Sequence, residues 1–521
     1  MGGSNDMRYQ DTLCRDTSCQ GTLAARYAHL ETRRRPCLER ARECAKVTLP
    51  YLCPVSGQTR FVTPYQGVGA QGVRNLAAKL LLVLLPPNSP FFRLVVDEAE
   101  LDKVDGGEDF HAEIDEALGR LERLVMSEIE TGHVRVGVSE ALLHLLVTGN
   151  SLLYLDESGG MRVFHLDSYV VRRDPVGHVL EIITLEKIDP SLLPKSLALP
   201  QRDGGVSGKP ASSDKPLDES VELYTQVLLR DGQWVTAQEV KGVVIPDSIG
   251  HYATHKSPWI PLRFMRLDGE DYGRSLVEEY LGDLKSLEVL TKAITQGSAA
   301  AAKVLFLVKP NATTKERVLA DAPNGAIRSG NAEDVTVVQV NKYADFRVAK
   351  ETIEHITRRL SYAFLVNSSI QRPGERVTAE EIRHMAAELE TALGGVYSIL
   401  SQEFQLPLIR RLMHQMERKG KFPKLPKGLV KPMIITGLEA LGRGYDLMKL
   451  QSFVQDLTSL GNAMPELLSR LNPGELIKRL ATARGLDSIG LIRSDEEMQE
   501  LAQQAQMQEM SQASGIPAPQ M

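Results

Sequence analysis

Thr378 to Leu412, TAEEIRHMAAELETALGGVYSILSQEFQLPLIRRL, reads as one long amphipathic helix and limits the fold more than any other stretch of the chain. Apolar residues recur at Ile382, Met385, Ala386, Leu389, Leu393, Val396, Leu400 and Phe404. That is the spacing of a helix with ~3.6 residues per turn and one buried face. Thr378 stands three residues before Glu381, so hydroxyl and carboxylate can satisfy each other's backbone N–H groups as a capping box. A polar segment, NSSIQRPGERV, runs into this start and carries Arg372, Glu375 and Arg376 around Pro373-Gly374. A second amphipathic segment precedes it, with Ile353, Ile356, Leu360 and Phe364 on its apolar side. The expected unit is a charged loop, Ile370 to Arg376, between two helices. On residues alone that loop also reads as an ordinary surface turn.

Upstream, a helix is expected from Tyr272 through LVEEYLGDLKSLEVLTKAITQGSAAAAKV, and its small-residue end, Ser298 to Ala302, permits close approach of a neighbouring helix. From Val304 to Phe346 the pattern is short strands and turns. Two helices that leave one body and return to it, with a small module between them, describe a stalk with a tip. Residues 1–60 read as polar helices, with Arg33 to Arg35 on a solvated face. Helices are expected at 67–85, 109–131 and 140–150, the last stopped by Gly149-Asn150. Between Ser151 and Arg266 the runs SLLYLD, MRVFHL, YVVRRD, VLEIITLEKI and VELYTQVLLR read as strands, and Leu199 to Asp218 as a flexible loop. Helices resume from Gly437 to about Gln506, and the tail beyond is too poor in apolar residues to order itself. The fold class is therefore α+β, mainly helical.

Bulk properties narrow the function. A net charge of −6 lacks the basic excess of a protein that grips nucleic acid tightly, so any DNA contact must be local or weak. The apolar run Leu80 to Leu85 ends at Pro86-Pro87, far short of the ~20 residues a membrane-spanning helix needs. The N-terminus shows no charged segment leading into an apolar one, and Asp6 stands where a myristoylation signal wants Ser or Thr, so cytosolic synthesis is expected. The five cysteines, Cys14, Cys19, Cys37, Cys44 and Cys53, lack paired CxxC spacing and read as free thiols, some packed on the helix around Leu38 to Val47.

No enzyme signature survives inspection. Gly67-Val-Gly69-Ala-Gln-Gly72 is a literal GxGxxG leading into a helix, with Asp97 downstream where a ribose-binding acid could sit. A dinucleotide site needs a buried strand delivering the chain to those glycines, whereas TRFVTPYQ places Pro64 there, so the glycines read as a tight helix start. Around GGVSGKP (204–210), the preceding Asp203 and the final Pro210 occupy positions that a phosphate loop reserves for Gly and for Ser or Thr. His133, His144, His165, His178 and His251 are scattered without an HExxH pattern, and no metal site or cofactor is expected. Adjacent carboxylates such as Glu278-Glu279 and Glu380-Glu381 point in different directions on helices. With only Trp234 and Trp259, stacking platforms for single strands are not expected. A helical adaptor of a non-viral assembly and an NAD-binding enzyme built on Gly67, Gly69 and Gly72 remain as alternatives.

The runs SSIQRPGERVTAEEIR, ELETALGGVYSILSQE and RLDGEDYGRSLVEEYLGDLKSLE (266–288) resemble the portal protein family of T7-like short-tailed bacteriophages, the head-to-tail connectors. VGAQGVRNLAAKL (68–80), LLVTGNSLLY (145–154) and TGLEALGRGYDLMKL (436–450) extend the resemblance along most of the chain. It implies a portal fold: an N-terminal α/β wing at 1–272, a first stem helix at 273–303, a clip at 304–345 and a second stem helix at 346–366. A tunnel loop at 367–377, a long wing helix and return at 378–436, a helical crown at 437–506 and a disordered tail at 507–521 follow. The family forms a ring, normally a dodecamer, at one capsid vertex, through which double-stranded DNA is packaged and ejected. By resemblance, Ile370, Gln371, Arg372, Pro373, Gly374, Glu375 and Arg376 form the DNA-channel loop. The implied partners are the terminase large subunit, a tail adaptor, and scaffold, major capsid and internal core proteins, with no membrane. The implied location is the head-tail junction of the virion, after synthesis in the host bacterial cytoplasm.

Overall fold

The computed structural model describes residues 22–55, 60–87, 90–96, 108–157, 159–190, 220–245, 248–301, 305–323, 325–338, 343–366, 385, 388, 389, 391–421, 430–434, 452, 454 and 455. The chain divides into two compact units, Met1–Asn88 with Val125–Lys424, and Ser89–Leu124 with Leu425–Met521. The helices are α1 (Leu23–Lys46), α2 (Val68–Leu84), α3 (Glu108–Thr131), α4 (Val134–Thr148), α5 (Leu276–Glu279), α6 (Leu281–Ala301), α7 (Glu316–Ala320), α8 (Tyr343–Ala363), α9 (Gly395–Leu400) and α10 (Leu406–Arg418). The strands are β1 (Phe92–Val96), β2 (Asn150–Leu155), β3 (Met161–Phe164), β4 (Tyr169–Arg173), β5 (Val179–Ile188), β6 (Val221–Arg230) and β7 (Gln233–Val240). They continue with β8 (Val243–Val244), β9 (Gly250–Ala253), β10 (Trp259–Arg263), β11 (Leu305–Val308), β12 (Val335–Val338) and β13 (Val430–Ile434). This is the expected α+β architecture. Among the described residues no helix is long and apolar enough to cross a membrane.

In the first unit, β4 to β8 form an antiparallel meander with β9 added beside β7, and β10, β2 and β3 form a separate antiparallel sheet. Helix α1 covers the larger sheet, with Tyr27 and Leu30 packed on Val170 and Ile183. Its first turn is capped twice. The Thr22 hydroxyl accepts from Ala25 N at 3.3 Å, and the buried Glu239 carboxylate, carried on β7, accepts from Leu23 N at 2.7 Å. The reading of Arg33 to Arg35 as a solvated face needs correction. Arg34 is 1% exposed and donates to the carbonyls of Leu166, Asp167 and Tyr169 at 3.0, 2.9 and 2.6 Å. Helical periodicity explains it: Arg34 shares a face with the buried Tyr27, Leu30, Cys37, Leu38 and Ala41, while Arg33 and Arg35 turn outward.

In the second unit, β1 pairs antiparallel with β13, and Leu94 N donates to the buried Glu122 carboxylate of α3 at 2.9 Å. A strand paired in this way is not a member of a parallel dinucleotide-binding sheet. The 140–150 helix begins earlier than expected, at Val134, and stops where expected: Gly149 takes a left-handed φ of +75°.

The 378–412 helix is not continuous where it is described. Gly394 (φ +49°) interrupts it before α9, Ser401–Gln405 widens into a π turn, and α10 restarts with Pro407 in its first turn. Paired glycines weaken a helix interior and proline removes a hydrogen-bond donor, so the apolar period alone overstated the regularity. The buried face persists through Met385, Leu389, Val396, Leu400 and Phe404. The π turn also aims two polar groups. Glu403 holds Arg263 of β10 through Nη2 at 2.5 Å, and Gln405 Nε2 donates to the Leu84 carbonyl, at the end of α2, at 2.7 Å. The capping pair Thr378 and Glu381, the 199–218 loop and the segments after 456 lie outside the described residues.

Cys37, Cys44 and Cys53 are free and buried. Burial pushes their thiols up to about 11, about 12 and about 12 respectively. The thiolate is the reacting species, so these three are protected twice, by access and by ionisation. At pH 8, no more than two of the five cysteines should react rapidly with a disulfide reagent in native protein, the other three only after denaturation. A thiol titration with a third fast equivalent would contradict this burial.

Candidate functional site

The first helix of the expected stalk is built from the turn 266–275. Gly149 at the end of α4 leaves no room for a Cβ, which would stand 2.6 Å from the Arg274 backbone. The Asn150 side chain then brackets Gly273, donating to its carbonyl at 3.0 Å and accepting from its N–H at 2.8 Å. Arg274 lies between the carboxylates of Glu270 and Glu278, at 2.6 and 2.7 Å. Ser275 caps α5, its hydroxyl accepting from Glu278 N at 3.0 Å. The stalk helix therefore begins at Leu276 and not at Tyr272, and it turns once at Tyr280 before α6. Tyr272 is engaged elsewhere: its hydroxyl accepts from Val171 N at 3.0 Å on β4.

Helices α6 and α8 run as a packed pair. Arg359 of α8 reaches Asp283 of α6, and a Cβ on Gly297 would stand 2.8 Å from the Phe346 ring. The close approach expected of the small residues at 298–302 is thus observed one residue earlier. Between the helices, β11 and β12 pair antiparallel from Leu305↔Val338 to Val308↔Val335, with the short α7 in their connection. The Asp334 carboxylate accepts from Thr313 Oγ1 at 3.1 Å and from Thr314 N and Oγ1 at 3.2 Å each, tying that connection to the foot of β12. Phe306, Leu307 and Ile327 are exposed on this tip.

Both stalk helices are seated on α2. A Cβ on Gly69 would stand 3.1 Å from the Leu284 side chain of α6 and 2.7 Å from the Val47 carbonyl. One turn along, a Cβ on Gly72 would stand 2.6 Å from the Phe364 ring at the end of α8. Glu288 of α6 accepts from Tyr65 N and Gln66 N at 3.0 and 3.1 Å, placing a carboxylate at the positive end of α2. The literal GxGxxG is therefore a helix-packing surface: Gly69 and Gly72 are filled by protein, not open to a pyrophosphate.

Helix α8 ends in a Schellman motif, with Val366 N on the Ser361 carbonyl at 2.8 Å and Leu365 N on Tyr362 at 3.1 Å. Leu365 occupies the left-handed position at φ +52°, normally a place for Gly. Its carbonyl is held by Asn75 Nδ2 at 3.0 Å and Lys79 Nζ at 2.8 Å, both from α2. Lys79 also faces Glu388 at 3.5 Å, beyond the following loop. Burial pulls the Lys79 ammonium below its ordinary value, and Glu388 opposes that shift. One buried cation thus touches the chain on both sides of the segment 367–384.

Ile370, Gln371, Arg372, Pro373, Gly374, Glu375 and Arg376 lie outside the described residues; the structure supplies the anchors flanking them. Sequence reasoning missed Asn75, Lys79 and Glu388. A signal existed: a lysine inside NLAAKLLLVLL must be held by a partner if that helix is buried.

The chain matches the family described as bacteriophage head to tail connecting protein over residues 20–491. It is 44% identical over 490 residues to the portal protein of Enterobacteria phage T3, covering 92% of this chain and 90% of that protein. To the portal protein of Escherichia phage T7 it is 43% identical over 492 residues, with the same coverages of 92% and 90%. Among solved structures it is similar to a chain from the neck of an empty GTA particle, at 12% identity and a TM-score of 0.36, covering 81% of this chain and 90% of that one.

Gly72→Ala weighs two magnitudes against each other. Alanine gains about 0.5–1 kcal/mol in a helix interior, while overpacking a filled site costs about 1–3 kcal/mol. A net loss of about 1 kcal/mol, and no more than about 2.5 kcal/mol, should appear as a lower denaturant midpoint; an unchanged or raised midpoint would mean that the Phe364 contact is not tight.

Proposed function

The chain belongs to the bacteriophage head to tail connecting proteins, and from that kinship we infer a portal subunit, the channel for DNA packaging and the platform for tail attachment. The observation that carries the inference is its extent: the match spans residues 20–491, from the first helix to far beyond the stalk. The subunit is structural, and it forms a ring at the head-tail junction of the virion. A dodecamer at one vertex, assembled from subunits made in the host bacterial cytoplasm, is the arrangement proposed here.

A ring of this kind must touch double-stranded DNA without holding it. Each extra Lys or Arg that neutralises a phosphate deepens sequence-independent binding through counterion release, and so adds friction. The stalk meets that requirement: α6 carries two acidic against two basic residues, and α8 three acidic against four basic. Helices so nearly neutral line a passage without gripping what moves through it. Residues 370–376 form the channel loop of the proposal. Its two arginines and one glutamate become, under ring symmetry, a mixed-charge collar that contacts the phosphate backbone without reading sequence.

The tip from Val304 to Asp345 docks the terminase large subunit during filling and a tail adaptor afterwards. Its exposed Phe306, Leu307 and Ile327 provide apolar surface suited to such contacts. Energy for translocation comes from the terminase. The strand-rich wing faces the capsid shell and scaffold, and the chain after Gly437 serves as the crown toward the internal core.

Negative-stain microscopy of the purified protein should show rings with a central hole; compact monomers or solid particles would overturn the reading. For the loop, Arg372→Glu combined with Arg376→Glu should lower genome retention in filled heads. Unchanged leakage together with unchanged packaging would remove the collar from the mechanism.

A further inference from the structure

Glu140, His144 and His165 offer three donor atoms that all lie within 4.8 Å of one another. Glu140 and His144 are one turn apart on α4, the i, i+4 spacing that sets two metal ligands on one helix face. His165 arrives from another part of the fold, at the end of β3, where it precedes a short 3-10 turn. The two imidazoles meet edge to face with ring centroids 4.7 Å apart.

His144 is 0% exposed, and neither of its ring nitrogens has a hydrogen-bond partner. A fully buried imidazole normally satisfies at least one nitrogen, because leaving a polar atom dry and unpaired is costly. His165 is oriented for a second role. Its Nδ1 lies 3.3 Å from the Leu52 carbonyl, which can only accept, so Nδ1 carries the proton and Nε2 keeps its lone pair. A carbonyl behind the distal nitrogen is the usual outer support of a metal-bound histidine. Glu140, at the surface, supplies a carboxylate and leaves a water-accessible side.

From this convergence we propose that Glu140, His144 and His165 bind a divalent transition metal ion, with zinc as the best fit, joining helix α4 to the end of β3. Two imidazoles and one carboxylate select zinc and its borderline neighbours over magnesium or calcium, which take oxygen ligands. Three protein ligands leave a fourth position for water. Donors in a tetrahedral shell with ~2.1 Å bonds stand about 3.4 Å apart, so the set closes by roughly 1.4 Å at most. Side-chain rotation at the exposed Glu140 can contribute to that movement. Its role is to lock two elements of the wing together, because a metal that binds only the folded chain stabilises it by mass action.

The test uses untagged, full-length protein carrying Cys14→Ser and Cys19→Ser, so that thiols near the N-terminus do not contribute. After chelator treatment, the protein is titrated with zinc chloride and desalted, and its metal content is measured. About one zinc per subunit should be retained, with a higher melting temperature than the stripped protein. His165→Asn keeps a donor for the Leu52 carbonyl while removing the ligand, and Glu140→Gln keeps shape while removing charge. Each should weaken zinc binding by more than about 10-fold, since even outer-shell partners are worth 10–100-fold. Their melting temperatures without metal should match that of the stripped parent, which separates lost metal from lost folding. No retained zinc in the parent, or equal retention in both variants, would overturn the proposal.

Discussion

Two glycines one turn apart on a single helix let the stalk rest on the body, and most of what is distinctive here depends on that contact. At Gly69 the side chain of Leu284 comes down from α6, and at Gly72 the ring of Phe364 comes down from α8. A close-packed interior has no slack to absorb a methyl group at either point. The polar contacts are arranged around these apolar ones: Glu288 at the start of α2, and Asn75 and Lys79 on the carbonyl of Leu365. The departure of α6, the return of α8 and the start of the following segment are thereby referred to one helix. A rigid frame of this kind suits a loop whose position is repeated around a ring.

Much of this architecture was readable from periodicity. The strands from Ser151 onward and the helices near 68–84, 108–131 and 281–301 follow patterns of two and of 3.6 residues that burial imposes directly. What periodicity could not supply was the identity of partners. Arg34 looked like one of three solvated arginines, yet its place on the apolar face of α1 puts it against three carbonyls. The GxGxxG run was visible at once, but glycines that approach a phosphate and glycines that approach another helix look the same until their neighbours are known, and the described residues 60–66 before them hold no strand. His144 and His165 stood apart in the chain, and only the path through β2 and β3 brings them together. Where regularity fails, at Gly394 and in the π turn, the apolar period ran straight through, and the extra backbone aims Glu403 and Gln405 at Arg263 and Leu84.

The loop from Ile370 to Arg376 shows the complementary limit. Its residues announce charge and a tight turn, and its neighbours announce helices, but nothing local says that it faces a channel. The channel role of this loop is part of the proposed function. The structure's contribution is to identify what precedes and follows it in the described residues, a Schellman motif at Leu365 and the Lys79 to Glu388 pair.

Lys79, Arg34 and Arg263 share a logic that bears on specificity more than on stability. Each is a nearly fully buried cation, and Lys79 and Arg34 spend their donors largely on backbone carbonyls. Desolvating a charge is expensive, and an apolar residue of similar volume is often as stable or more so. What such a group adds is a penalty for every arrangement in which its partners are misplaced, because the charge would then be buried and unpaired. A subunit that repeats its geometry around a closed ring gains from that intolerance. Lys79 applies this at the stalk: it donates to the Leu365 carbonyl at the end of α8, so an arrangement that displaces that carbonyl leaves a buried charge unpaired.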